Sequence, residues 1–212
     1  MPDTALDRFA PFCARPISEI ERDLRSYVSL LLKWNKVTNL VSRETEGMLW
    51  NRHILDSLQL LPLIPGKAQR ILDLGSGGGL PAIPLAIAFK GGDRSITLVE
   101  PIQKKVSFLR TVIRELELPA TVIAGRIESA DSRETPDVIT SRALASLDHL
   151  FQLSERFFGP ETLGLFHKGG EHLKELAESR SAWAFDVVVN PSSTDLSGAI
   201  VQISSLRSVN TP

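Results

Sequence analysis

Apolar and polar positions follow two alternating periods along the chain after its first 66 residues. Short apolar runs typical of buried strands recur at 70–74, 95–100, 120–124, 138–140, 162–167, 185–189 and 199–204. Runs with helical spacing lie between most of them, at about 80–89, 102–116, 147–158 and up to Ser179. Strands that alternate with helices predict a mainly parallel sheet with both faces covered. Because no helical run separates the last two strands, we expect them to form an antiparallel hairpin.

The first 66 residues follow a different pattern. Residues 1–16 contain three prolines and little periodicity, which predicts a loose tail. A helix follows, because Ser18 and Glu21 have the spacing of a capping box and apolar residues recur behind them up to about Asn35. A second helical run covers about 45–61. We therefore expect a tail and a helical appendage over 1–66, joined to an α/β unit over 67–212 in one compact body.

Composition and charge narrow the class of protein. With 212 residues, of which 42% are hydrophobic, the chain is long enough for one domain with a substantial core. Its formal net charge of −1 gives no overall basic signal, so any nucleic-acid binding requires a local patch. Cys13 is the only cysteine, which excludes a disulfide framework within one chain and fits a reducing cytosol. We find no membrane-spanning run and no secretion signal, and we expect a cytoplasmic monomer.

The glycine-rich stretch after the first strand carries the clearest sign of chemistry. Gly75, Gly77 and Gly79 stand between the apolar run 70–74 and the helical run that begins near Leu80. Glycine permits a sharp turn with positive φ, and it lets a ligand lie against the main chain without meeting a Cβ atom. The unpaired N–H groups of the following helix point into the same space. Strand, glycine turn and helix together predict a nucleotide-type binding site, although an ordinary glycine-rich turn is the alternative.

The details of this stretch favour one kind of cofactor. A dinucleotide fingerprint has the spacing G-x-G-x-x-G, which requires glycine where Leu80 stands. An acidic residue, Asp73, precedes the first glycine, and Glu100 closes the next strand, where its carboxylate is able to accept hydrogen bonds from both hydroxyls of a ribose. A cofactor with an amine and a ribose but no pyrophosphate fits this set, and S-adenosylmethionine is such a cofactor.

Several further motifs lie in the order in which one known family has them. They are Lys33-Trp34-Asn35, Asn39-Leu40, Arg52 to Leu58, the glycine loop with Leu80-Pro81, Lys104-Lys105, Gly125-Arg126 with Glu128, Ser141 to Leu147, and Lys168-Gly169. Over about residues 18–170 the chain resembles the bacterial 16S rRNA guanine-N7 methyltransferase family RsmG, also called glucose-inhibited division protein B (GidB). It departs from the family pattern at Asn51, Gly78 and Ala82, and it lacks the usual lysine after the last strand. None of these departures removes an expected cofactor contact.

The resemblance implies a fold and a reaction. The fold is α/β and Rossmann-like, that of class I S-adenosylmethionine-dependent methyltransferases, with a mainly parallel seven-stranded sheet, a terminal antiparallel hairpin and N-terminal helices. The reaction is transfer of a methyl group from S-adenosylmethionine to N7 of a guanine in 16S rRNA, at position 527 in the common numbering. The partner is naked 16S rRNA or the assembled small ribosomal subunit, and the sequence leaves that choice open.

The resemblance also implies cofactor contacts at certain positions, which add to those from the glycine motif and Glu100. Together the expected cofactor-binding residues are Gly75, Gly77, Gly79, Leu80, Glu100, Ile127, Glu128 and Arg142. Catalytic roles stay open, because guanine N7 carries a lone pair and no proton, so that no general base is required. Arg142, Lys168 and His53 are candidates. For His53 the alternative is an ordinary buried histidine, and for Lys168 a simple turn.

Local basic residues supply the candidates for RNA contact. They are Lys33, Lys36, Arg52, Lys104, Lys105 and Arg126, with Arg43, Arg110 and Arg114 nearby in the sequence. Basic residues of this kind bind the phosphate backbone, although a solvated helix face is the usual alternative. The four histidines show no metal-ligand spacing, so we expect no metal site.

Competing functions differ from this hypothesis in testable ways. An NAD-dependent oxidoreductase conflicts with Leu80 and with the terminal hairpin. A methyltransferase that acts on another RNA, a small molecule or a protein stays open, because the basic positions favour RNA only weakly. A non-catalytic adenosyl-binding module conflicts with the intact glycine loop and Glu100.

Overall fold

A seven-stranded sheet with the order β3-β2-β1-β4-β5-β7-β6 organises the chain, seen in a computed structural model that describes residues 4–42, 47–131 and 134–209. The strands are β1 Arg70–Leu74, β2 Ser95–Glu100, β3 Ala120–Ala124, β4 Val138–Arg142, β5 Leu163–Lys168, β6 Trp183–Pro191 and β7 Ala199–Ser208. Strands β1 to β5 run parallel, whereas β7 is antiparallel to both β5 and β6. The predicted parallel sheet and terminal hairpin are therefore confirmed.

Seven α-helices accompany the strands in the part of the chain that the structure describes. They are α1 Thr4–Asp7, α2 Ile17–Asn35, α3 Asp56–Leu58, α4 Ala82–Phe89, α5 Gln103–Glu115, α6 Leu147–Ser154 and α7 His172–Ser179. The predicted helix over 147–158 is shorter than expected, because a 3₁₀ turn, Glu155–Phe157, replaces its last part. The last two strands are longer than expected, since pairing along the hairpin extends beyond the apolar core of each run.

Strand register brings the predicted site residues to one edge of the sheet. Strand β1 lies between β2 and β4, with Leu74 opposite Val99 and Asp73 opposite Thr140. Its last four residues are buried, as expected for a strand that is covered on both faces. The carboxyl ends of the parallel strands are where open α/β sheets bind ligands. The glycine loop, Glu100 and Arg142 all lie at that edge.

The N-terminal residues differ from the prediction of a loose tail. Leu6 and Phe9 are buried, and the guanidinium of Arg15 donates to the carbonyls of Ile87 and Lys90 beside α4. Helix α2 begins directly after Pro16, whose carbonyl accepts the first helical hydrogen bonds, and no side chain caps it. The predicted capping box at Ser18 is therefore wrong, because that residue already lies inside the helix.

The second predicted helix is replaced by a series of tighter and wider turns. A π-helix, Trp50–Leu55, leads into α3, and a 3₁₀ turn, Leu61–Leu63, follows. Residues 45 and 46 of the predicted run lie outside the described residues. The wide π turn is common at functional sites, and here it precedes Asp56 and contains His53, which both contact Arg142.

Two apolar clusters fill the two sides of the sheet. One joins the N-terminal helices to α4 and α5, with Leu24, Ile83 and Phe108 among its buried members. The other lies under α6 and includes Phe151 and Phe166. The N-terminal helices therefore share one core with the helices that cover the sheet, and the boundary near residue 66 stays a prediction.

Candidate active site

The glycine loop after β1 turns through residues with positive φ, a conformation that favours glycine. Gly75 has φ +68°, and a Cβ atom there would lie 2.5 Å from Cδ1 of Leu144. Gly77 has φ +55°, but a Cβ atom there would meet nothing nearer than the Gly75 carbonyl oxygen at 3.8 Å. The loop is thus closed on the side of Leu144 and open beside Gly77. An open space against the main chain is what a bound cofactor requires.

Glu100 fixes this loop to the end of β2. It is buried, with 3% of its surface exposed, and its Oε2 accepts a hydrogen bond from the Gly77 N–H at 2.8 Å. Its Oε1 accepts from the Ile102 N–H at 2.9 Å. Two main-chain N–H donors therefore hold a carboxylate that has further lone pairs for a ligand hydroxyl. The structure brings Glu100 and the glycine loop together, as the sequence predicts.

Asp73 is a buried carboxylate with one oxygen left over. Its Oδ1 accepts from the Thr140 hydroxyl at 2.6 Å, while Oδ2 has no hydrogen-bond partner among the described residues. Burial, with a smaller contribution from the neighbouring Glu100, raises the pKa of Asp73 to about 6. A buried acceptor without a partner is costly. A ligand that brings a donor or a positive charge would relieve that cost.

Tyr27 of α2 is a site residue that sequence reasoning missed. Its hydroxyl donates to the carbonyl of Gly78 at 2.6 Å, and its ring is fully buried against Phe108. The helical pattern gives Tyr27 only as one member of an apolar stripe. The tyrosine in this stripe was the available signal. A buried tyrosine hydroxyl usually has a hydrogen-bond partner, so its presence on the apolar face predicts a polar contact there.

Arg142, at the end of β4, is held by the N-terminal segment. Its guanidinium donates to Oδ2 of Asp56 at 2.8 Å and to the carbonyl of Arg52 at 3.1 Å, and it also contacts Nδ1 of His53. Both members of the ion pair are largely buried, with 17% and 14% of their side chains exposed. Arg142 therefore occupies a fixed position between the carboxyl edge of the sheet and the helical appendage.

Two histidines border the same ion pair. Burial, with the nearby Arg142 guanidinium, lowers the pKa of His53 to about 4, so its ring is neutral and Nδ1 accepts from Arg142. Burial also lowers the pKa of His167, whose Nε2 donates to the Asp56 carbonyl at 2.9 Å. A cavity of about 290 Å³ opens beside these groups. Its lining includes Arg52, His53, Asp56, Arg142, His167, Lys168, Thr194 and Asp195.

Lys168 lines that cavity, but its ammonium group already has protein partners. The Nζ atom donates to the Ala145 carbonyl at 2.8 Å and pairs with Oε2 of Glu175 at 2.6 Å. The same Glu175 oxygen accepts from the Leu147 N–H. In this structure Lys168 connects β5, the loop after β4 and α7, and its catalytic role stays a prediction.

The remaining predicted cofactor residues lie near the ends of β1 and β3. Leu80 is buried directly after the glycine loop. Ile127 is buried at the start of a 3₁₀ turn, and Glu128 beside it is exposed. The turn is held near β2, because the Gly125 N–H donates to the Glu100 carbonyl at 3.1 Å. Ile127 and Glu128 therefore border the same edge as Glu100.

The RNA-contact candidates lie on the surface around this edge. Lys33 and Lys36 are exposed at the end of α2, next to α5, because Trp34 packs on Phe108 with ring centres 5.7 Å apart. Lys104 is exposed and Lys105 half-buried on the first turn of α5, and Arg126 is exposed. Arg52 pairs with Asp195 at 3.2 Å at the cavity mouth. Arg43 lies outside the described residues.

Within residues 4–42, 47–131 and 134–209, no cluster of three or more histidine, cysteine or acidic residues is placed to hold a metal ion. None of the helices described has the length and apolar character needed to cross a membrane.

Comparison with known proteins identifies the family. Residues 20–203 match the GidB family, described as rRNA small subunit methyltransferase G. The chain belongs to this family. Proteins named ribosomal RNA small subunit methyltransferase G from Brucella ovis and Brucella suis are each 48% identical to it over 187 residues, which is 87% of this chain and 87% of each relative. The family resemblance predicted from the motifs is thus confirmed, and the match extends beyond residue 170.

Solved structures place this rRNA small subunit methyltransferase G family member in a wider fold. A glycopeptide N-methyltransferase complexed with S-adenosylmethionine superposes with a TM-score of 0.57 at 11% identity, covering 72% of this chain and 93% of that one. A ribosomal protein L11 methylase from Lactobacillus delbrueckii gives 0.56 at 16% identity, covering 72% and 78%. At such low identity the likeness concerns the fold alone. It confirms the prediction of a class I methyltransferase fold.

Proposed function

We propose that this protein transfers the methyl group of S-adenosylmethionine to N7 of a guanine in 16S rRNA, at position 527 in the common numbering. One observation carries the proposal. In a chain that belongs to an rRNA methyltransferase family, the Glu100 carboxylate holds the open glycine loop, and Asp73 on the preceding strand has a buried oxygen with no hydrogen-bond partner among the described residues. This set is suited to a ligand with an amine and a ribose.

The residues present fit S-adenosylmethionine. Glu100 is positioned to accept from ribose hydroxyls, Asp73 to accept from a positively charged or donor group, and the loop at Gly77 to receive a ligand against the main chain. Ile127 and Glu128 would border the adenine. When bound, the cofactor supplies an electrophilic methyl group. The protein's own contribution is to hold it in one orientation.

The substrate side requires orientation more than proton transfer. Guanine N7 has an in-plane lone pair and no proton, so no side chain has to act as a base. Orientation of two reactants can lower a barrier by roughly 7–11 kcal/mol. Arg142 is a fixed donor, because Asp56 and His53 hold its guanidinium in place. We infer that Arg142 orients the reactants at the junction of the cofactor edge and the cavity.

The exposed basic residues around the edge support RNA as the substrate. Charge and shape recognise RNA backbones, and Lys33, Lys36 and Lys104 are free to contact phosphates at the surface. We infer that the protein acts on 16S rRNA, naked or within the small subunit, in the cytoplasm. No observation favours a different RNA or a small molecule, and the same experiment tests those alternatives.

Methyl transfer to defined substrates tests the proposal. The purified protein is incubated with methyl-labelled S-adenosylmethionine and with either naked 16S rRNA or small subunits, and the methylated base is mapped. We expect one N7-methylguanine, and Glu100→Ala should lose about 1.5–3 kcal/mol of cofactor binding because a charged acceptor is removed. Label on another atom or another RNA, or no label with either substrate, would contradict the proposal.

A further inference from the structure

The glycine loop is contacted from outside the sheet by helix α2. The Tyr27 hydroxyl reaches the Gly78 carbonyl at 2.6 Å in a position with no solvent access to the tyrosine. The ring packs on Phe108, with ring centres 6.4 Å apart, so its position is fixed independently of the hydroxyl. A helix outside the strand–loop–helix unit therefore holds the main chain of the cofactor loop.

This hydrogen bond sets the orientation of one peptide plane. The Gly78 carbonyl and the Gly79 N–H belong to the same peptide group. Tyr27 holds the carbonyl end, and the Ser76 carbonyl accepts from the N–H end at 2.7 Å. One residue earlier, Gly77 donates to Glu100. Because glycine has little intrinsic conformational preference, these external contacts determine the shape of the loop.

The segment after α2 approaches the same glycine from a second direction. A Cβ atom on Gly78 would lie 3.1 Å from the Leu40 carbonyl oxygen. The Asn35 side chain holds that segment, because its Oδ1 accepts from the N–H groups of Leu40 at 2.8 Å and Val41 at 3.1 Å. The helix and the segment behind it thus form a wall along the loop.

We propose that Tyr27 is a positioning residue for cofactor binding, which acts by holding the Gly78–Gly79 peptide in the orientation that S-adenosylmethionine requires. The inference rests on the proposed function. Without the hydroxyl, the buried Gly78 carbonyl loses the hydrogen bond that Tyr27 donates, and it must turn to find another. That turn also moves the Gly79 N–H, so the loop has to be reordered whenever the cofactor binds.

The matched experiment compares two conservative changes in one helix. Tyr27→Phe removes the hydroxyl and keeps the ring on Phe108, whereas Ile20→Val removes one buried methylene from a residue earlier in α2. Isothermal titration with S-adenosylmethionine should give about three- to tenfold weaker binding for Tyr27→Phe. Ile20→Val should bind as the wild type does, even where the two variants lose a similar amount of thermal stability.

A second measurement reads the loop directly. Amide hydrogen exchange at Gly79 should become faster in Tyr27→Phe and stay unchanged in Ile20→Val. Wild-type affinity together with wild-type exchange in Tyr27→Phe would overturn the inference, and so would equal losses of affinity in both variants. If the wild-type protein itself fails to bind S-adenosylmethionine, the proposed function fails, and that outcome is distinct from either of these.

Discussion

The two halves of the candidate site are held together by different kinds of contact. On the side of β1 and β2, a main-chain N–H of the glycine loop donates to Glu100, and Asp73 accepts from the Thr140 hydroxyl; no ion pair is found for either carboxylate among the described residues. On the side of β4 and β5, side chains of opposite charge are already paired, Arg142 with Asp56 and Lys168 with Glu175. The first half is prepared for a ligand that brings donors or positive charge. The second is rigid before any ligand arrives.

This difference determines how each half should respond to mutation. A change in the glycine loop removes space and conformational freedom and therefore affects binding. A change in a buried ion pair leaves the other charge without compensation and therefore affects stability first. Variants in the two halves, each with a matched control, separate these two responses.

The largest effect is expected at Gly77. In Gly77→Val a β-branched side chain is placed at φ +55°, in the open space beside the loop, so cofactor binding should be abolished while the sheet still folds. Gly66→Val is the control for added side-chain volume, because a Cβ atom at Gly66 meets nothing within 4 Å and Gly66 precedes the amino end of β1, away from the site. Calorimetric titration and circular dichroism are the measurements. Normal cofactor binding by the Gly77 variant would show that the loop is only a turn between β1 and α4.

Asp56→Ala should act mainly on stability. It leaves the Arg142 guanidinium buried without its carboxylate, so the free energy of unfolding should fall by about 3–5 kcal/mol. Arg52→Ala breaks an exposed pair, with 47% of the arginine side chain accessible, and should cost about 0–1 kcal/mol. Urea denaturation of both variants gives the comparison. Equal losses would show that the buried pair has no special role.

The sequence predicts some parts of the candidate site well and others not at all. Strands, glycine turn and Glu100 were predictable because local periodicity and short spacing encode them. The contact of Tyr27 with Gly78 joins residues 51 positions apart, and that of Arg142 with Asp56 joins residues 86 positions apart. Neither has a local signature. The π-helix at Trp50–Leu55 also escaped prediction, since its apolar spacing resembles that of an ordinary helix.

Lowering the pH should weaken cofactor binding and increase the stability of the unliganded protein, because both depend on the ionisation of Asp73. Its pKa is raised from 3.8 to about 6, so ionisation opposes folding above about pH 6, and this cost disappears as the pH falls towards 4. The unliganded protein should therefore gain on the order of 2 kcal/mol from this group on acidification. Affinity for S-adenosylmethionine should instead decrease below about pH 6.

Asp73→Asn is the control for this pH dependence. The variant should lose both trends between pH 4 and 8, measured by thermal melting without ligand and by titration with ligand. The same pH dependence in wild type and variant would assign the titration to another group.

The smallest effect concerns the basic surface. Charge reversal of Lys104 and Lys105 to glutamate should weaken binding of a 16S rRNA fragment and flatten its salt dependence, by roughly 0.7–0.9 in log–log slope for each phosphate that the protein no longer neutralises. Cofactor affinity should stay unchanged. Lys67→Glu, at an exposed position beside the amino end of β1, is the control. An unaltered slope in the double variant would indicate that the RNA binds at Lys33 and Lys36 instead.

The apolar cluster that joins the N-terminal helices to α4 and α5 determines whether the two parts of the chain can fold separately. Leu24 and Leu31 of α2 bury themselves in the same cluster as Ile83, Phe89 and Phe108. A fragment that begins at residue 67 would expose Ile83, Phe89 and Phe108 and lose the tyrosine that contacts the glycine loop. We therefore expect no protease-resistant catalytic fragment without the helices. For the same reason, the N-terminal helices cannot be exchanged between relatives on their own. Helices α4 and α5, which share their apolar cluster, would have to be exchanged with them.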